Sequence, residues 1–250
     1  MTTDRRLYSM DLGRRDHTRW LGVHRVSSRL TLPTANLLAD WDARTGVTVA
    51  GTGVSSWLSS TGSHNAAQGT DAKRPSLITA ARGSAIEFLD ANNDVLTVAS
   101  GLTSASTSHT IFFVADMTDI SVGAGTQRPI DITTGRYFVN IAGTAGVGSE
   151  LSAYDGAFRT LGGAATGYQV LRITAAATGT TISAHRNGAL VGTTGGLYTP
   201  RAIGGATHIG SSNSAGTTCG MKLYALYIYD DALGSAAAAA VEAYIAQEWP

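Results

Sequence analysis

The side chains that could do chemistry are few and widely spaced in this sequence. Only four glutamates occur, Glu87, Glu150, Glu242 and Glu248, and no Glu-x-Asp-x-x-Glu-like cluster brings carboxylates together. Glycoside hydrolysis needs two carboxyl groups about 5 to 9.5 Å apart, so the local sequence supplies no such pair. A serine nucleophile would need a strained Gly-x-Ser-x-Gly turn with a histidine base. No such pentapeptide is present, and the six histidines are scattered. His185 and His208 fall in runs that read as strands, where partly buried structural histidines are expected. Phosphate-binding glycine loops and Cys/His metal clusters are also absent. No catalytic residue is assigned, and the chain is read as a non-enzyme.

Two weaker constellations concern binding. Asp90-Ala91-Asn92-Asn93-Asp94 sets oxygen ligands at the first, third and fifth positions, as at the start of a calcium loop. Val95 then stands where that loop requires Gly, and Gly101 where it requires a bidentate Glu. Two readings follow: a calcium site on Asp90, Asn92 and Asp94, or a plain connecting turn, which Asn and Asp favour through local hydrogen bonds. Calcium is the one cofactor considered. Sugar recognition needs an aromatic face beside amide or carboxylate groups; Tyr154, Asp155, Tyr198 and Asn213, in segments that read as loops, meet that requirement loosely, and each also reads as an ordinary loop residue.

The elements that must position these groups are strands. Thirty glycines and five prolines, with much Ser, Thr and Ala, fit short strands joined by tight turns in an all-β domain. The clearest runs are Ala85 to Leu89, Val95 to Val98, Thr110 to Ala115, Tyr137 to Ile141, Tyr168 to Thr174 and Leu223 to Tyr229. Asn187-Gly188, between the runs Thr181 to Arg186 and Ala189 to Val191, predicts a type I′ hairpin over 181–193. Leu223 to Tyr229 is apolar on both alternating faces, so something must cover its outer side. The residues that follow supply the cover: a helix over 235–247, capped by Ser235, with Ala237, Val241, Tyr244, Ile245 and Trp249 in one apolar stripe.

Charge is concentrated at the front. Residues 1 to 30 hold seven Arg against three Asp in a chain of zero formal net charge. The segment 1–34 reads as an Arg-rich arm, with Arg5, Arg6, Arg14, Arg15, Arg19 and Trp20 as its attachment residues, ahead of one domain over 35–250. Docking on a protein partner and a solvated tail are its two readings. Asp4, Asp11 and Asp16 interrupt the basic run and the remainder is slightly acidic, so nucleic acid is not expected as a partner. The single Cys219 excludes an intrachain disulfide and reads as a small buried hydrophobe. No apolar run suits a membrane span or the core of a signal peptide.

From about Leu37 to Trp249 the sequence resembles the concanavalin-like, laminin-G-type jelly rolls frequent in bacteriophage virion proteins and bacterial surface proteins. The resemblance is carried by Trp41-Asp42, Val54-Ser55-Ser56-Trp57 with Ser60 to Ala66, Arg74-Pro75, Ile86-Glu87-Phe88-Leu89-Asp90 to Leu96, Arg186 to Gly192, His208-Ile209-Gly210, and Gly220 to Asp231 with Leu233. Leu89-Asp90-Ala91 departs from the family's Phe-Asp-Gly, and alanines open the helix where acidic residues are common. Polysaccharide lyases on this fold use a Tyr and a His with basic partners, and no matching motif surrounds His185 or His208. The resemblance implies an antiparallel two-sheet jelly roll with one C-terminal helix. It further implies a virion surface protein, such as a capsid decoration, head-fibre or tail-fibre component. Such a protein would be made in the host cytoplasm without a signal peptide, anchored to other virion proteins by its arm, homo-oligomeric, and able to touch host polysaccharide. A stand-alone carbohydrate-binding lectin is the alternative, and a glycan-active hydrolase or lyase the third reading.

Overall fold

Successive strand residues point to opposite faces, so a strand buried on one side alternates apolar with polar, and a strand buried on both is apolar throughout. A computed structural model of the chain describes residues 29–250 except 103, 121–125, 133–136, 143–149, 155–157, 178–180, 197–201 and 212–218. Its strands are β1 (Leu37–Asp42), β2 (Val47–Ala50), β3 (Gly53–Leu58), β4 (Asn65–Ala67), β5 (Ser76–Ala80), β6 (Gly83–Phe88), β7 (Leu96–Val98), β8 (His109–Asp119) and β9 (Thr126–Ile132). They continue as β10 (Tyr137–Ala142), β11 (Glu150–Tyr154), β12 (Phe158–Gly163), β13 (Gly167–Ala175), β14 (Ile182–Arg186), β15 (Ala189–Thr193), β16 (Thr207–Ile209) and β17 (Gly220–Tyr229), followed by the helix α1 (Ser235–Glu248).

The strands form two antiparallel sheets, as expected for the β-sandwich. Sheet A runs β15-β14-β13-β8-β17-β6-β5, with β1 also pairing β17, and sheet B runs β12-β11-β10-β9-β16-β7-β4-β3-β2. Their inward faces share one core that includes Trp41, Trp57, Phe88, Phe113, Ile130 and Leu223. A second core lies outside sheet A, where Phe112, Tyr224, Tyr227 and Tyr229 pack under Val241 and Trp249. The two-faced apolar character of β17 is thus explained: Leu226 and Ile228 face the sandwich interior, and Tyr227 and Tyr229 face the helix. The hairpin is as expected, with Asn187 at φ 51° and Gly188 at φ 81°, the pair of positive values a type I′ turn requires.

The helix start differs from the expectation. Ser235 is already the first helical residue, and the N-cap is Gly234, which makes no side-chain cap bond. A hydroxyl at Ser235 is one position too late to serve the first turn. The approach is fixed by Thr110 instead, whose Oγ1 accepts the Leu233 amide at 2.9 Å and donates to the Asp231 carbonyl at 2.9 Å. The buried stripe is Ala238, Val241 and Ile245, with Trp249 beyond the last turn, whereas Ala237 is exposed. Ala237 sits about 100° round the helix from Ala238, off the line that meets the sheet.

The described end of the Arg-rich segment lies against α1. Arg29 makes a two-pronged ion pair with Glu248, at 3.0 Å from Nε and 2.9 Å from the terminal nitrogen. Leu32 packs on the second core, and the Tyr229 hydroxyl donates to the Pro33 carbonyl at 2.8 Å. Arg44 also holds Glu248, at 2.6 Å, and its guanidinium lies 4.1 Å from the centre of the Trp249 ring. The bonds from Arg29, joined by those from Arg44, lower the Glu248 carboxyl from its ordinary 4.5 to about 2. A folded-state value below the unfolded one contributes stability above about pH 4.5, and that stability is lost as pH falls through about 2. Glu248→Gln is therefore expected to flatten the fall in thermal midpoint across that window, read by calorimetry at stepped pH. An identical fall in both proteins would exclude the contribution.

Candidate functional site

Helix α1 covers the outward face of sheet A, whereas the outward face of sheet B carries no helix among the described residues. Paired residues on adjacent antiparallel strands share a face, so register decides which side chains line it. Trp57, Ala66, Val98, Thr207 and Ile132 form one cross-strand row, and its apolar members belong to the inter-sheet core. The adjacent row is Thr48, Ser56, Ala67, Thr97, His208 and Asp131 on β2, β3, β4, β7, β16 and β9. It faces outward, and every member is small or polar.

The outward row sinks as it crosses the sheet. Thr48 is exposed and Thr97 partly so, yet His208 and Asp131 are only 7% and 6% exposed. Thr97 Oγ1 and His208 Nδ1 are 3.0 Å apart, and Arg128 pairs with Asp131 at 3.3 Å. Burial pushes the His208 imidazolium down in pKa more than Asp131 pulls it up. The ring is therefore neutral at pH 7, with one nitrogen donating and the other accepting. The register thus brings a hydroxyl, a neutral imidazole, a carboxylate and a guanidinium together on three neighbouring strands. They do not form a hydrolytic pair. Through β10, Glu150 on β11 is two strands and four residues from Asp131, or about 16 Å at ordinary strand spacings, beyond the separation that glycoside hydrolysis uses. Glu150 also accepts a hydrogen bond from Thr160 at 2.8 Å.

Of the residues singled out from the sequence, Tyr154 lies at the end of strand β11, opposite Phe158, and not in a loop. The β11–β12 hairpin extends the ladder to that residue. Asp155, Tyr198 and Asn213 lie outside the described residues, as do Arg5, Arg6, Arg14, Arg15, Arg19 and Trp20. Asp90 and Asn92 are exposed on a 3-10 turn that ends at Asn93, φ 54°, whereas Asp94 is 1% exposed and points back to accept the Leu89 amide at 2.8 Å. The segment is thus built as a connecting turn closed by its own Asp. Among the described residues, no group of three or more His, Cys, Asp or Glu side chains could hold a metal ion. Cys219 is fully buried, and burial raises its thiol well above the ordinary range. Sequence reasoning marked His208 only as a strand histidine and missed Thr97, Arg128 and Asp131. Their proximity depends on the pairing of three strands far apart in the chain, and no local motif announces it.

Comparison with known proteins places the fold and stops there. No family model matches the chain, and no curated protein matches it. Among solved structures, domain 4 of an extracellular arabinanase from Geobacillus stearothermophilus, seen in complex with arabinotriose, superposes with a TM-score of 0.56 at 14% identity, over 83% of this chain and 98% of that one. The binding domain of Paraclostridial mosquitocidal protein 1 gives 0.58 at 12% identity, over 84% of this chain and 52% of the other. The binding domain of botulinum neurotoxin DC, in complex with SialylT, gives 0.56 at 11% over 85% and 51%. The chain spans about half of each toxin domain. At these identities the likeness is one of fold, and the class it defines is a two-sheet antiparallel β-sandwich closed by a C-terminal helix.

Proposed function

We propose that this chain is a non-catalytic carbohydrate-binding domain whose ligand site is the recess formed by Thr97, His208, Asp131 and Arg128. The observation that carries this reading is the outward polar row of sheet B, which ends in a nearly inaccessible His208–Asp131 pair on a face left free of α1. Buried polar groups that only served the fold could be replaced by apolar ones, whereas a hydrogen-bonding recess suits a polyhydroxyl ligand. Three solved sandwiches of this fold are binding domains or carry a saccharide in their structures. Asp131→Asn is expected to weaken glycan binding at least tenfold, the effect of losing one charge-assisted hydrogen bond of about 1.5–3 kcal/mol, and His208→Ala about two- to tenfold, the effect of losing a neutral one of about 0.5–1.5 kcal/mol. Titration calorimetry on ligands found by glycan array reads this, and unchanged affinity in both variants excludes the recess.

The finer reading places the domain on the surface of a bacteriophage particle, attached to other virion proteins through residues 1–28 and assembled as a homo-oligomer. It rests on the Arg-rich composition of that segment and on the position of Arg29 against α1, which puts the segment's exit on the side opposite the recess. Removing residues 1–28 while keeping Arg29 to Pro33 is expected to abolish incorporation into particles without changing the glycan affinity. Incorporation at the level of the full chain overturns this attachment.

A further inference from the structure

Strand β17 is buried along its whole length except at Lys222, which is also its only charged residue. Lys222 lies opposite Asp116 of β8 on one side and opposite Glu87 of β6 on the other. The row continues to Tyr168 of β13 beyond Asp116 and to Ser76 of β5 beyond Glu87. The next residues in register, Ala115, Leu223 and Ile86, belong to the inter-sheet core, so this row faces outward on the α1 side. All five side chains are partly exposed. Lys222 makes no ion pair with either carboxylate, although opposite charges directly across a ladder commonly pair. The row therefore sets an acceptor, a donor and an acceptor at intervals of about 4.8 Å, within a strip that spans about 19 Å from Tyr168 to Ser76.

One end of the strip is a built wall. The Arg82 guanidinium sits 3.7 Å from the centre of the Tyr168 ring, Tyr168 Oη donates to the Trp249 carbonyl at 3.0 Å, and Tyr224 packs edge-on against Tyr168 at 6.0 Å. Behind the wall is a cavity of about 440 Å³, lined by Arg82, Tyr168, Asn187, Glu242 and Trp249. Glu242 is tied to Arg172 at 3.2 Å, and the Asn187 Oδ1 accepts the Val170 amide at 2.8 Å, so the polar lining is fixed in place. Lys222 and Arg82 balance Asp116 and Glu87 in charge, which suits an uncharged ligand. A fixed aromatic wall beside alternating acceptors and donors suits sugar rings with their hydroxyls.

We infer that the Tyr168–Asp116–Lys222–Glu87 row and its adjoining cavity form a second saccharide-binding site, on the opposite face of the sandwich from the His208–Asp131 recess, that takes a linear neutral oligosaccharide. The ligand class rests on the carbohydrate-binding reading above, and the location rests on the row alone. Two sites on opposite faces let one chain bridge two saccharide strands, so a multivalent polymer would be held more tightly than a short oligomer. The experiment titrates the full chain with arabinotriose, maltotetraose and cellotetraose, with stoichiometry and affinity read by calorimetry and the thermal midpoint as the folding control. Asp131→Asn is expected to leave one saccharide bound per chain, and adding Lys222→Met, which keeps the apolar stem, or Glu87→Gln with Asp116→Asn, to weaken that remaining site at least tenfold. If the Asp131→Asn protein binds nothing while the parent binds one saccharide, the second site is overturned and the recess stands. If Lys222→Met and the double carboxamide variant bind as the parent does, the second site is overturned irrespective of the recess. If the parent binds none of the three, both are overturned.

Discussion

Trp41→Ala is expected to lower the unfolding free energy by about 3–5 kcal/mol, the usual cost of removing a buried large aromatic. Trp41 is fully inaccessible on β1, the strand that pairs the second half of β17. Its indole Nε1 donates to the Trp57 carbonyl at 3.0 Å, and the Trp57 Nε1 donates to the Asp42 carbonyl at 3.0 Å. The two rings lie 6.5 Å apart and tilted at 54°, so they join β1 of sheet A to β3 of sheet B through the core. Truncation leaves a cavity between the sheets and removes the indole donor to the Trp57 carbonyl. Urea denaturation with an unchanged m-value is the measurement, and a loss under about 1 kcal/mol would show that the core closes over the site.

Gly210→Ala is expected to cost stability and ligand affinity together. Gly210 follows β16 at φ +90°, and a Cβ there would meet the Phe88 ring at 2.0 Å. Overpacking a tight core costs about 1–3 kcal/mol, and the left-handed backbone adds roughly 1–2 kcal/mol for an L side chain. The same residue is tied on both sides, donating to the Pro129 carbonyl at 2.8 Å and accepting from the Cys219 amide at 2.9 Å. Pro129 is two residues from Asp131, and Gly210 two from His208, so movement that relieves the Phe88 clash shifts both walls of the recess. Gly62→Ala is the control: φ is +75° but nothing lies within 4 Å, so about 1 kcal/mol and no change in binding are expected. Equal effects of the two substitutions on affinity would disconnect the Phe88 contact from the recess.

The Asn187-Gly188 turn was legible because its two positive φ values are a local property of those two residues. The helix over β17 was legible because a strand with two apolar faces must be covered twice. Its fine detail was less so: the cap at Gly234 and the stripe from Ala238 depend on where Thr110 of β8 receives the incoming chain. Asp90 to Asp94 shows the same divide. Its composition allows a calcium loop or a turn, and only the structure shows that Asp94 runs inward to accept the Leu89 amide.

The candidate sites lay almost wholly beyond reach of the sequence. A sheet face is assembled by register between strands that are distant in the chain, and the identity of a cross-strand neighbour is set by the packing of the whole sandwich. Nothing near Thr97 points to His208, and nothing near Lys222 points to Glu87 or Asp116. Composition and periodicity were enough to determine an all-β chain, its I′ hairpin, a terminal helix and the absence of a local catalytic motif, because each follows from residues close together in sequence. Only the tertiary structure decided that one sheet keeps a polar face free of the helix, that His208 and Asp131 sink below its surface, and that Lys222 stands between two carboxylates with neither of which it forms an ion pair. Those properties belong to the pairing of strands and not to any one of them.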